Sequence, residues 1–243
     1  MDKAFEKRLK DIRRFYQLLD DLERKCGGKR LLKDCHAKMK WPKRGVYFFF
    51  EQEEKRNTSG NGLRVVRVGT HALRIGAKST LWKRLKQHQG TKKNGGGDHR
   101  GSVFRKHVGT ALIVRDHWDE SIAGTWGNGS SAPREIVKKE VPLEQVVSLY
   151  IGEMHILWLE VDDPSGPDSK RGVIERNAIG LLSNLCSPII SVDPPSRSWL
   201  GHYARNEEIK RSGLWNVDHV AESYNPAFLD LLETLVSQID CVR

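Results

Sequence analysis

Residues 45–50 read Gly-Val-Tyr-Phe-Phe-Phe, residues 64–69 read Arg-Val-Val-Arg-Val-Gly, and residues 80–88 read Thr-Leu-Trp-Lys-Arg-Leu-Lys-Gln-His. The first two runs are rich in β-branched and aromatic residues, which is typical of strands. The Gly- and Asn-rich segment 57–62 between them suits a hairpin turn. The third run predicts a helix. This part of the chain therefore predicts a strand, a turn, a second strand and a helix in that order.

The predicted helix carries Arg84 and His88 on one side. Residues four apart on a helix are neighbours, roughly 6 Å apart at Cβ, so one anion could meet both side chains. A Ser79 or Thr80 cap starts this helix, and Gly90 ends it. The arrangement can hold a phosphate against the hydroxyl of Tyr47.

Other elements are predicted on both sides of this region. Apolar residues recur every three or four positions from Phe5 to Cys26, which predicts an amphipathic helix with a basic outer face. Residues 156–161 predict a third strand, and residues 173–185 predict a helix. Pro226 favours the start of a last helix. The pattern predicts an α/β fold of the α+β kind, with a small mixed sheet of about three strands flanked by helices.

The domain organisation follows from the same reading. Residues 1–40 are predicted to form a basic N-terminal helical arm. Residues 41–190 are predicted to form the core, and residues 191–243 a C-terminal extension that ends in a helix. The length allows one well-buried core with such additions.

Positive charge is concentrated in two segments. The chain has a net charge of +10, but residues 1–44 hold 15 basic and 7 acidic residues, and residues 78–107 hold 9 basic residues and one acid. Such clusters are the electrostatic footprint expected for DNA or RNA. A solvated basic face without a partner is the alternative.

Neither a membrane span nor a secretory signal is predicted. No apolar run approaches the roughly 20 residues that cross a bilayer, and the N-terminus is charged from Asp2 onward. The four cysteines, at positions 26, 35, 186 and 241, match no usual zinc spacing. We therefore expect a reducing, cytoplasmic location.

The order of these features resembles the GIY-YIG endonuclease family. In that family one strand carries the GIY triplet and the next carries YIG, the following helix bears an arginine, and a later helix bears a metal-binding glutamate. Here Gly45–Tyr47 corresponds to GIY and Arg67–Gly69 to YIG, while Arg84 and Glu175 correspond to the arginine and glutamate. The spacing of Arg84 and His88 is similar to that of the restriction-enzyme branch.

The resemblance covers about residues 41–190 and departs from the family at Arg67, which replaces the YIG tyrosine. A literal Tyr150-Ile151-Gly152 lies more than a hundred residues beyond Gly45 and after the arginine helix. It cannot form the neighbouring strand of the hairpin. Arg67 could contact phosphate or point to solvent.

The resemblance implies hydrolysis of phosphodiester bonds. Tyr47 would act as a general base if nearby positive charge lowered its pKa from about 10. Arg84 would grip the phosphate with two hydrogen bonds. His88 would contact the nucleophile or the phosphate.

Glu175 would bind Mg²⁺ (or Mn²⁺), with water and phosphate completing the shell. Asn184 is a weaker candidate for the site asparagine of the family. We expect a second set of residues to contact nucleic acid. They are Arg67, Lys83, Lys86, His99, Arg100, Ser102 and Arg105.

The sequence therefore favours a metal-dependent DNA endonuclease that acts on double-stranded DNA, with a role in restriction or genome defence and a homodimer as further expectations. A nucleic-acid-binding protein of the same fold that has lost catalysis is the main alternative, because Arg67 breaks one motif. A scaffold whose basic helices dock an acidic partner is the third reading.

Overall fold

A four-stranded antiparallel sheet forms the centre of the fold, in a computed structural model that describes residues 3–91, 95–185 and 191–240. The spatial order is β1-β4-β2-β3. The strands are β1 (Arg30–Leu31), β2 (Gly45–Lys55), β3 (Leu63–Gly69) and β4 (His155–Glu160).

Helices flank this sheet on both faces, which confirms the predicted α/β class. They are α1 (Lys3–Cys26), α2 (Leu81–Gln89), α3 (Val103–Asp116), α4 (Glu120–Ala123), α5 (Arg134–Gly152), α6 (Lys170–Leu182), α7 (Glu207–Ser212) and α8 (Phe228–Ser237). The sheet contains one short strand, β1, that the sequence did not predict, and the described pairings are antiparallel.

The hairpin predicted around residues 57–62 is confirmed. Strands β2 and β3 pair so that Tyr47 lies opposite Gly69 and Phe49 opposite Arg67. The register then shifts by one residue, so that Phe50 pairs with Val65 and the strand bends at a bulge. Strand β4 pairs with the other edge of β2.

Alternation along β2 divides the core between the two faces of the sheet. Val46 and Phe48 lie in a cluster with residues of α1, α6 and α8. Tyr47 and Phe49 lie in a second cluster with residues of α2, α3 and α5. The apolar side of α1 faces inward, as predicted, and its burial places α1 and the sheet in one core.

Two further predictions have structural outcomes. The Tyr150-Ile151-Gly152 triplet lies at the end of α5, so its exclusion from the hairpin is confirmed. The last predicted helix begins at Phe228 instead of Pro226, because Asn225 accepts a hydrogen bond from the Ala227 amide in a turn before it. Cys186 and Cys241 lie outside the described residues.

Candidate active site

Tyr47 and His88 meet in the buried space between β2 and α2. Both side chains are fully buried, and the Tyr47 hydroxyl lies 2.9 Å from His88 Nε2. His88 Nδ1 lies 2.9 Å from the Ser102 hydroxyl at the start of α3. The three polar groups form a hydrogen-bonded chain that fixes the direction of the imidazole ring.

The backbone of α2 sets the position of His88. Thr80 caps the helix by accepting a hydrogen bond from the Lys83 amide, and Gly90 ends it, as the sequence predicts. The amide of Leu81 donates to the carbonyl of Lys43, which joins the start of α2 to the chain before β2. The helix is therefore anchored close to Tyr47.

Gly69 makes room for the Tyr47 ring. A Cβ atom built on Gly69 would lie 2.4 Å from the Tyr47 hydroxyl oxygen, far inside contact distance. The two residues are direct partners across β2 and β3. A glycine is required here because the aromatic ring crosses the backbone of the neighbouring strand.

Arg84 and Arg67 supply positive charge around His88. Burial, followed by the charges of Arg84, Arg67 and Arg105, holds the pKa of His88 well below its ordinary value. His88 is therefore neutral near pH 7. Arg84 is partly exposed and donates to Gln87 on its own helix, at 3.1 Å.

Arg67, at the position of the YIG tyrosine, points into the protein and not to open solvent. It is 9% exposed, donates from Nη1 to the Trp215 carbonyl at 2.7 Å, and lies 4.8 Å from the Phe104 ring centre. Burial lowers its pKa, while the proximity of Tyr47 and of the Glu175 carboxylate acts in the opposite direction. Arg67 therefore belongs to the same cluster as the other site residues.

Glu175 lies in the second turn of α6, beside the end of β3. Its Oε1 accepts a hydrogen bond from the Thr70 amide at 2.9 Å. Burial raises the pKa of this carboxyl group, while the Thr70 amide and the charge of Arg67 oppose the shift. A cleft of about 580 Å³ opens beside it and gives a ligand access.

Four residues predicted to contact DNA are instead held inside the protein, and the prediction is corrected for them. His99 lies between Glu144 Oε1, at 2.8 Å, and the Gly127 amide, at 3.0 Å, and Arg100 pairs with Glu140. Arg105 is fully buried against Glu144, and Ser102 contacts His88. Acidic partners on α5 draw these basic side chains inward, which the local sequence does not reveal.

Asn184 is also placed differently from the prediction. Helix α6 ends at Leu182, and the Asn184 side chain pairs with both the amide and the carbonyl of Val192. Its amide group stabilises a loop and is not on the helix of Glu175. Lys83 and Lys86 are exposed on α2, next to Arg84.

Sequence reasoning missed His219. Its Nδ1 lies 2.8 Å from Glu222 Oε1, and it lines the same cleft as Glu175, whose pKa its charge helps to lower. His219 has a positive φ of 64°, an unusual conformation for a non-glycine residue. An isolated His-x-x-Glu pattern gave no signal, because its proximity to Glu175 arises only in the folded chain.

A buried tyrosine–histidine pair, two arginines and one carboxylate at the end of a hairpin define a site suited to phosphate chemistry. A family model described as a GIY-YIG domain matches residues 6–242. The chain belongs to the GIY-YIG family, whose members are generally nucleases that act on DNA.

Comparisons with curated proteins and with solved structures gave no match. No helix among the described residues is long and apolar enough to cross a membrane.

Proposed function

We propose that this protein is a metal-dependent endonuclease that hydrolyses phosphodiester bonds in DNA. The observation that carries the proposal is the 2.9 Å contact between the Tyr47 hydroxyl and His88 Nε2, in a cluster with Arg84 and Glu175. Phosphodiester hydrolysis needs an activated water, neutralisation of phosphate charge and help for the leaving oxygen. The side chains of this cluster suit the first two needs.

Tyr47 is proposed as the general base, assisted by His88. Neutral His88 can accept a hydrogen bond from the Tyr47 hydroxyl at Nε2 when its Nδ1 donates to Ser102. The Tyr47 oxygen then gains negative character beside Arg67 and can take a proton from the attacking water.

Glu175 is the proposed ligand of Mg²⁺ (or Mn²⁺). Its carboxylate keeps one hydrogen bond, from Thr70, and borders an open cleft. The described residues contain no group of three metal-ligating side chains. Mg²⁺ retains several waters and takes one or two carboxylates together with substrate phosphates, so a single protein carboxylate can hold it. The ion would neutralise charge on the phosphate and the leaving oxygen.

Arg84 is proposed to bind the scissile phosphate, because it is partly exposed and lies close enough to His88 and Glu175 for its charge to lower the pKa of both. Its guanidinium can donate two hydrogen bonds to phosphate. Exposed Lys83 and Lys86 would bind neighbouring phosphates of the same strand.

A single site of this kind cuts one strand. A role in restriction or genome defence would therefore need a homodimer or a transient pair of chains on duplex DNA.

Plasmid cleavage with Mg²⁺ tests the proposal. We expect Tyr47→Phe and Glu175→Ala to lower the cleavage rate by at least about 100-fold, since each removes a group that acts in the transition state. Tyr203→Phe and Glu208→Ala are matched controls at exposed positions and should cut like the parent. Parental activity in Tyr47→Phe and Glu175→Ala would contradict the assignment.

A catalytically inactive nucleic-acid-binding protein of the same fold is the second candidate. The buried Arg67 favours it, because a cation held against Trp215 stands where the family has a tyrosine. Salt-sensitive DNA binding without cleavage across Mg²⁺ and Mn²⁺ would support this candidate over the nuclease.

A further inference from the structure

Three tryptophan rings pack against one another at the surface, on the side of the sheet that carries Tyr47. The ring centres of Trp41 and Trp82 are 5.0 Å apart with planes 20° apart, and those of Trp41 and Trp158 are 4.5 Å apart. All three side chains are only partly buried. We refer to Trp41, Trp82 and Trp158 as the tryptophan face.

The fold places the tryptophan face next to the residues of the proposed reaction. Trp158 is the partner of Tyr47 across β4 and β2, so the two side chains project from the same side of the sheet. Trp82 and Arg84 both lie on α2, but residues two apart on a helix point to opposite sides, so these two side chains flank the buried side of the helix. A nucleic-acid strand held by Arg84 would therefore have to cross the exposed side of α2, where Lys83 lies, to reach this face.

Exposed lysines border the tryptophan face. Lys40 and Lys43 flank Trp41 in the sequence, and Lys83 follows Trp82. A hollow of about 250 Å³ is lined by Lys40, Trp41 and Trp158, with the carboxylate of Glu160 at its edge. Aromatic rings next to cations are the arrangement that binds the bases and phosphates of single strands.

A purely structural role, in which the three indoles cover the apolar core, accounts for their buried part. It does not account for three large rings that stay partly exposed and are bordered by lysines. Paired bases in a duplex present their edges to a protein, whereas unpaired bases also present a face on which indoles can stack. The stacked rings and the charge together favour an unpaired strand.

We propose that the tryptophan face binds unpaired bases of a DNA strand adjacent to the cleavage site, while Lys40, Lys43 and Lys83 contact its phosphates. The inference rests on the proposed DNA-directed function. It adds a preference for DNA that contains single-stranded segments, such as forks, flaps or gaps.

Equilibrium binding without metal tests this preference separately from catalysis. The protein carries Glu175→Gln, which cannot supply a metal carboxylate but keeps an oxygen for the Thr70 amide. Fluorescence anisotropy compares a labelled forked DNA, a blunt duplex of equal length and a single-stranded RNA. The variants are Trp82→Ala, Trp82→Phe and the control Trp118→Ala, which removes another partly buried tryptophan.

We expect Trp82→Ala to weaken binding of forked DNA by at least about five-fold, the lower end for loss of one base–aromatic contact. Binding of the blunt duplex should change less than two-fold, and Trp82→Phe should restore most of the loss. Equal loss on both DNAs, no loss, or the same loss in Trp118→Ala would overturn the proposal. A loss confined to RNA would overturn the commitment to DNA.

A pair of lysine changes keeps the test valid if Trp82→Ala does not fold. Lys40→Ala combined with Lys83→Ala alters exposed side chains only. It should reduce the slope of log affinity against log salt for forked DNA by roughly 1.4, for two phosphate contacts on a single strand. An unchanged slope would contradict the phosphate contacts. If the fork preference holds but plasmid is never cut, the nuclease proposal fails while the binding surface stands.

Discussion

The ring of Tyr47 occupies the space that a side chain at position 69 would need. A Cβ there would meet the tyrosine hydroxyl at 2.4 Å, and that same hydroxyl lies 2.9 Å from His88. Gly69, the last residue of the triplet that corresponds to YIG, thus positions Tyr47, the last residue of the triplet that corresponds to GIY. This gives a physical reason for the pairing of the two triplets in one hairpin.

Gly69→Ala should therefore disturb the site without removing any functional group. We expect the cleavage rate to fall by about 100-fold, since misplacement by about 1 Å has effects of that order. Gly101→Ala is the control, because a Cβ there meets only Asp98 Oδ2, at 3.8 Å. Both variants would be compared in plasmid cleavage and in thermal unfolding, and full activity of Gly69→Ala would disprove the steric account.

At the scale of elements, Arg105 joins three helices below the site. From α3 it donates to the His88 carbonyl at the end of α2, at 2.9 Å, and to the Glu144 carboxylate on α5, at 3.0 Å. It is fully buried, and Gly97 packs directly against its guanidinium. The position of His88 relative to Tyr47 therefore depends on how α2, α3 and α5 pack together.

Arg105→Met should lower the free energy of unfolding by about 3–5 kcal/mol, because it leaves a buried carboxylate without its cation. The control is Arg115→Met, which breaks the exposed pair with Asp116 and should cost less than about 1 kcal/mol. Urea unfolding measures both. Equal losses in the free energy of unfolding would show that the buried pair stabilises the fold no more than the exposed pair.

Across the whole molecule, the net charge of +10 overstates the positive charge that a polyanion can reach. In α1, Arg8 donates to the carbonyls of Leu181 and Ser183, and Arg14 pairs with Asp230 on α8. These charges of the predicted basic arm hold helices together. Exposed cations around α2 and in the segment before β2 include Lys40, Lys43, Lys83 and Lys86.

Two buried histidines, His71 and His88, and the partly buried His107 also link stability to pH. Burial is the main cause that lowers the pKa of His71 to about 4, and that of His107 to about 4, while His88 is shifted well below its ordinary value. In the unfolded chain these groups take up protons near pH 6.5. Their contribution to stability is therefore present above about pH 6.5 and is lost as the pH falls towards 4.

His107→Gln should flatten this loss. Between pH 6.5 and 4 the free energy of unfolding of the parent should fall more steeply than that of the variant, by at most about 1.4 kcal/mol per pH unit. Burial raises the pKa values of Glu51 and Glu175, so these two groups increase stability as the pH falls. Because both proteins contain them, the difference between the slopes of parent and variant reports on His107 alone. Urea titrations at several pH values would measure it, and identical slopes would refute the linkage.

Local patterns in the sequence were enough to predict the parts of the fold that local interactions decide. The hairpin around residues 57–62, a cap of α2 at Ser79 or Thr80 and the Gly90 stop follow from turn and capping chemistry within a few residues, and the structure selects Thr80. The approximate position of β4 followed from its apolar run. The order of Tyr47, Arg84, His88 and Glu175 pointed to one site through its resemblance to the GIY-YIG family, and not through local interactions.

Only the tertiary structure decided which polar residues face a ligand and which face the protein. His99 and Arg105 look like surface cations in the sequence, yet Glu144, some 40 residues away, holds both inside. His219 reaches the cleft of Glu175 from the far end of the chain. Burial of a charge depends on a partner brought from a distant element. The sequence next to His99 or Arg105 therefore does not show that these side chains are buried.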